Sequence, residues 1–222
     1  MNLMDDGFSL VWIVSGWLVF LSALVWSLKT APWGRVKSDS GAQHVFLGAT
    51  VLVFLVWILS ATIEGGLSFH FLLMTLMVLM FGPQFAFILA TLALVGITLL
   101  GKAGILVFGL NGTLMGLVPV LVTWTIVNLA YKYLEHNFFV FVLLNGFFAA
   151  ALSAFAVLML GGLAMLWGDV HTIEKLTQSY FPYIPMLAVP EGFISGMMVG
   201  ALILLKPNWI GCFSDELYLK GK

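Results

Sequence analysis

Residues 67–100 read LSFHFLLMTLMVLMFGPQFAFILATLALVGITLL, and the fold turns on how this stretch is taken. It contains no Asp, Glu, Lys or Arg, and Gly82-Pro83-Gln84 interrupts it near its middle. As one helix its 34 residues would reach about 50 Å. A bilayer hydrocarbon core is about 30 Å thick, too thin for a helix of that length. The alternative to one long kinked helix is a pair, about 68–82 and about 84–100, joined by a tight turn at Gly82-Pro83. The first is short, which a bundle tolerates when it buries the helix end.

Outward from this stretch, continuous apolar runs of crossing length recur at about 8–28, 44–62, 105–131, 138–166 and 186–205. They lack the two-residue alternation of a membrane barrel. The predicted fold is therefore all-α, a polytopic helix bundle forming a single transmembrane domain over 1–222. Composition agrees: 62% of the residues are hydrophobic and 9% charged. Soluble domains carry about 25% charged residues, so this chain cannot cover itself against water. The run Phe8–Leu28 follows Asp5 and Asp6 rather than a basic segment, so it reads as a retained span, not a cleaved signal.

Charge separates seven spans from six. With seven and the N-terminus outside, the cytoplasmic segments hold Lys29, Arg35, Lys37, Lys132, Lys206, Lys220 and Lys222. Only Lys102 and Lys175 fall outside, as the positive-inside rule asks. Six spans would move Lys132, Lys206, Lys220 and Lys222 to the side opposite Lys29, Arg35 and Lys37. Seven spans, N-terminus outside and C-terminus cytoplasmic, is the better balance. Residues 29–43 then form a cytoplasmic loop and 167–184 the longest outside loop.

Polar groups at membrane depth are few, and such groups are functional candidates. His70, Glu64, Glu191 and Asn111 share the outer half with Asp5 and Asp6, which suggests a pocket open to the outside. Each also has a plainer reading: an interfacial histidine, a solvated Glu64, or a Glu191 that caps backbone amides near Pro190. Gly112-x-x-x-Gly116 and Gly192-x-x-x-Gly196-x-x-x-Gly200 are small-residue faces for helix packing or for docking another membrane subunit. The one cysteine, Cys212, excludes an internal disulfide and reads as an incidental thiol in the C-terminal tail. P-loop, dinucleotide, zincin and serine-hydrolase signatures are missing, so the chain does not read as an enzyme. Any ATPase that powers it is another chain.

Four places in the chain resemble the CbiM/NikM family of cobalt and nickel transporters. Met1-Asn2-Leu3-Met4-Asp5-Asp6-Gly7-Phe8 is similar to the family's M-H-I-x-[DE]-G-F. Leu59-Ser60-Ala61, Ser68-Phe69-His70 and Phe81-Gly82-Pro83 follow its L-S-A, S-x-H and F-G-P. Leu110-Asn111-Gly112-Thr113 with Met115-Gly116 is similar to L-G-A-N-T-x-x-M-G, and Ile184-Pro185 with Glu191-Gly192 to I-P…E-G. The resemblance implies seven helices and a substrate-capture component of an energy-coupling-factor ABC transporter in the bacterial inner membrane. It implies a coupling transmembrane subunit and cytoplasmic ATPases as partners, and Co(II) or Ni(II) as the transported substrate. The implied metal ligands are the Met1 amine, position 2 and His70. Position 2 is Asn2 where the family has His, and one extra residue precedes the Asp-Gly-Phe. Asp6, Glu64, Asn111 and Glu191 are the supporting candidates; Asp5, Asp6 or Glu64 would complete a weakened chelate. Two other readings stay open: the same scaffold with a different small solute, or an accessory membrane subunit that docks onto another complex.

Overall fold

The computed structural model describes residues 2–5, 7–37, 39–63 and 67–218. The chain is helical apart from one small hairpin. Through residue 205 the helices are α1 (Leu10–Thr30), α2 (Trp33–Lys37), α3 (Ser40–Ile58), α4 (Met74–Leu99), α5 (Phe108–Tyr133), α6 (Phe138–Trp167), α7 (Ile173–Ser179) and α8 (Tyr183–Leu205); the tail beyond adds the short turns Pro207–Trp209 and Asp215–Tyr218. Six of them, all but α2 and α7, are long and apolar enough to cross a membrane. β1 (Ala61–Ile63) and β2 (Leu67–Phe69) pair antiparallel, Thr62 opposite Ser68.

α4 is the axis of the bundle. Met74 to Met80 are all buried, as are Ala86, Phe87 and Leu89 further on, and α1, α3, α5, α6 and α8 pack around them. The outer helices bury one face and expose the other: Val11 is 76% exposed and Leu204 76%. Apolar faces of that extent, on helices of crossing length, belong against lipid. Between helices, lipid removes the hydrophobic driving force, so close packing and hydrogen bonds hold the bundle. Aromatic rings supply part of it, with Trp17 stacked on Phe108 at 5.5 Å and Phe20 against Phe87 at 5.7 Å. Both glycine stripes face neighbours inside the chain. Gly112 and Gly116 meet Phe20 and Phe87, and Gly192 and Gly196 meet Phe147.

Gly82 sits inside α4 with φ 81° and ψ 169°, outside helical space, so α4 is two helical halves meeting at a break. A side chain rarely adopts this φ, and glycine adopts it freely. The break leaves the carbonyls of the first half without intrahelical donors. The tail after α8 supplies them. Gly211 N–H donates to Met80 O and Cys212 N–H to Leu79 O, both at 3.1 Å. A side chain at Gly211 would meet Met80 O at 2.7 Å, so only glycine lets this strap lie so close. Gly82 borders a cavity of about 680 Å³ together with Pro32, Val36, Asp39, Trp209 and Gly211. The break therefore lies at the end of the bundle that holds α2 and the tail. The opposite end gathers the N-terminal segment, the hairpin and the 100–107 connection, where Lys102 Nζ donates to Ile58 O at 3.1 Å.

Several bounds differ from the sequence-based expectation. The span expected over 44–62 runs Ser40–Ile58, because Asp39 caps it through Gly41 N–H and Ala42 N–H and the hairpin takes over at Ala61. The span expected over 68–82 begins only at Met74: residues 67–69 pair with β1, and Leu72 and Leu73 give their N–H groups to a distant carboxylate. The outside loop expected over 167–184 contains α7, started by Thr172, whose hydroxyl accepts from Lys175 N–H.

Candidate functional site

The N-terminal segment enters the bundle instead of trailing from it. Asn2 and Leu3 are each 6% exposed. Asn111, wholly buried on α5, holds Leu3 as a paired strand would. Leu3 N–H donates to Asn111 Oδ1 at 2.9 Å, and Asn111 Nδ2 donates to Leu3 O at 2.9 Å. Gly104 N–H also donates to Leu3 O, at 3.0 Å. A carboxamide offers one donor face and one acceptor, which is what a single peptide unit needs. Asp5 accepts from the N–H groups of Ile105, Leu106 and Val107 at 3.0, 2.8 and 3.1 Å, covering the free donors ahead of α5.

This anchoring brings Asn2 onto His70. Asn2 Oδ1 lies 2.9 Å from His70 Nε2, and Asn2 N–H faces Ser68 Oγ at 3.4 Å. His70 is 9% exposed, in the short connection between β2 and α4, with the Trp57 ring 5.4 Å away. Its Nδ1 lies 3.0 Å from Phe71 O, an oxygen that can only accept. Nδ1 therefore carries the proton in the neutral ring, and Nε2 presents its lone pair to Asn2. Two acceptors, Nε2 and Oδ1, thus face each other, while Asn2 Nδ2 is buried without a partner. A half-turn of the amide satisfies the pair by placing Nδ2–H on Nε2. A cation shared by both lone pairs satisfies it equally.

The connection that carries His70 is held from two sides. Trp57 Nε1–H donates to Leu72 O at 3.2 Å. Glu191, 3% exposed on α8, accepts from Leu72 N–H at 2.8 Å and Leu73 N–H at 2.7 Å. Leu73 adopts the left-handed conformation, φ 55°, as the chain turns into α4.

Of the residues expected from sequence, Asn2 and His70 meet directly. Asn111 acts on the segment that carries Asn2, and Glu191 on the segment that carries His70. Met1, Asp6 and Glu64 lie outside the described residues. Asp5, weighed as a carboxylate ligand, is committed to residues 105–107 and does not reach His70's ring. Glu191 caps N–H groups, as expected, but those of α4 rather than of the Pro190 turn. Trp57 escaped the sequence reading, since a tryptophan near a span end is ordinarily an interfacial anchor. Its ring is fully buried, beside His70 and bonded to the Leu72 carbonyl.

The chain is thus a multi-pass membrane bundle whose N-terminal segment packs onto a buried histidine. The family model described as "Cobalt uptake substrate-specific transmembrane region", CbiM, matches residues 2–209, and the chain belongs to that family. It is thus a transmembrane component of metal transport. Two solved structures share the fold. The crystal structure of a truncated transition metal transporter aligns at 20% identity with a TM-score of 0.72, over 93% of this chain and 99% of that one. The crystal structure of a transition metal transporter aligns at 22% identity with a TM-score of 0.69, over 92% and 93%. No curated protein matches the sequence.

Proposed function

We propose that this chain is the substrate-capture component of an energy-coupling-factor transporter in the bacterial inner membrane. It takes up cobalt or nickel with a coupling transmembrane subunit and cytoplasmic ATPases. The observation that carries the reading is the Asn2–His70 pair: two possible ligand atoms, Oδ1 and Nε2, 2.9 Å apart in a buried site at the N-terminal segment. Two ligands at about 2.1 Å on adjacent corners of a square around a metal stand about 3.0 Å apart, close to this spacing. The Met1 amine, Asn2 and His70 are the proposed ligands, with Asn111 and Glu191 supporting and Asp6 and Glu64 as further candidates. Imidazole and amine nitrogen suit Ni(II) and Co(II), and the carboxamide oxygen of Asn2 makes the set harder than one with two imidazoles. Counting the halves of α4 separately gives seven crossings, N-terminus outside, so the site opens outward.

A second reading keeps the scaffold and changes the cargo to another small solute. It is favoured by the same pair taken as a closed hydrogen bond, Nδ2–H on Nε2. Metal analysis separates the two. Protein purified with its native N-terminus should retain about one Co or Ni per chain, and His70→Ala should lose it. Metal-free wild type under saturating cobalt and nickel would favour the other cargo. A tag on the N-terminus blocks the amine and is to be avoided.

A further inference from the structure

We propose that Glu191 is a positioning residue of the His70 site, acting through the backbone of residues 70–73; this rests on the metal reading above. Glu191 lies 118 residues from Leu73 in sequence, yet one carboxylate takes both consecutive N–H groups that follow His70-Phe71. Two charge-assisted bonds of 2.7–2.8 Å fix the peptide planes at Leu72 and Leu73. Trp57 fixes the Leu72 carbonyl from the other side. The Phe71 carbonyl that orients the His70 ring is in the peptide bond to Leu72, so the tautomer and aim of Nε2 follow from where Glu191 sets that bond.

A second observation ties the two side chains together. His70 and Glu191 line one small void of about 10 Å³, whose other walls are apolar residues such as Leu72, Val157 and Leu187. That is the room of a single water molecule. Among the described residues no cationic side chain lies within ion-pair distance of Glu191. A buried, unpaired carboxylate is costly in a bilayer and calls for compensation. The α4 N-terminus gives part of it through its dipole, and a cation held at His70 would add to it across the void.

The test uses the full chain with its native N-terminus, titrated with cobalt alone, in wild-type, His70→Ala, Glu191→Gln and Glu191→Asp forms. Glu191→Gln keeps the shape but turns one amide N–H toward a backbone N–H. Cobalt affinity should fall about 10–100-fold with the stoichiometry unchanged, the range seen when groups behind a metal ligand are removed. Glu191→Asp, which retains the charge but falls short by a methylene, should lose less; it is the arm read if the Gln form does not fold. The nitrogen spectra of the four histidines, taken without metal, give an independent readout. His70 signals should move in Glu191→Gln while those of His44, His136 and His171 stay. Wild-type affinity together with an unmoved His70 would overturn the proposal. Should the wild type bind no cobalt, the metal reading fails, and the His70 signals alone then decide the positioning role.

Discussion

Asn111 gives both ends of its carboxamide to Leu3, and this one residue decides whether Asn2 reaches His70. Asn111→Ala leaves the buried Leu3 N–H without its acceptor and the Leu3 carbonyl with Gly104 N–H alone, a loss of about 1–3 kcal/mol. The N-terminal segment should then leave the bundle, read as a lower thermal midpoint in detergent and faster acylation of the N-terminal amine. Asn2 sets the strength of the site. Asn2→His replaces a carboxamide by the softer imidazole, so nickel and cobalt should bind at least about tenfold tighter, checked by competition against a chromogenic chelator. Equal affinity in both forms would mean that position 2 does not face the metal. The candidate site was only partly legible in the sequence. His70, Asn111 and Glu191 stood out as polar residues in apolar runs. That Asn2 and His70 touch follows from three backbone pairings made by side chains 100 to 119 residues away, which no local pattern records.

At the scale of elements, the break in α4 carries the argument. Gly82-Pro83 was readable because a continuous helix would overrun the bilayer and because glycine followed by proline interrupts a helix. The start of α4 at Met74 was not readable, since His70 and the apolar residues 71–73 fit a helix as well as a turn; a carboxylate on α8 settles it. The hairpin was hidden for a similar reason. Ala61–Ile63 and Leu67–Phe69 are too short for alternation to show. Gly82→Ala forces a side chain into a left-handed φ and should lower stability by about 1–2 kcal/mol, measured as a shift of the thermal midpoint. The strap offers a second check. Burial pushes the Cys212 thiol up to about 11, disfavouring the thiolate. Alkylation of Cys212 in the folded protein should stay slow at pH 8 and accelerate as the pH climbs toward 11, whereas an exposed thiol reacts readily near 8.5.

For the whole molecule, the two ends differ in what they do. One end closes the N-terminal segment over His70. The other joins α2, the α4 break and the tail. If α4 turns back at Gly82, residues 38 and 177 lie on opposite sides of the membrane. Single cysteines placed at Ser38 and Thr177 in a Cys212→Ser background should label from opposite faces of intact vesicles. Labelling from one face would remove the seventh crossing and with it the outward-facing site. The all-α class and the single membrane domain needed only the scarcity of charge and the length of the apolar runs. The path of the chain needed the contacts at each end.

The strap at Gly211 and Cys212 also bears on how the chain is made. Its partners on α4 lie up to 134 residues earlier, so the first half of α4 is synthesised long before its open carbonyls can be closed. Until Gly211 and Cys212 have been synthesised, those groups must rest against water, the insertion machinery or a chaperone. The α4 break is therefore closed only after all six long helices have been made, and a product cut shortly before Gly211 would have every long helix present and its central helix left unsealed.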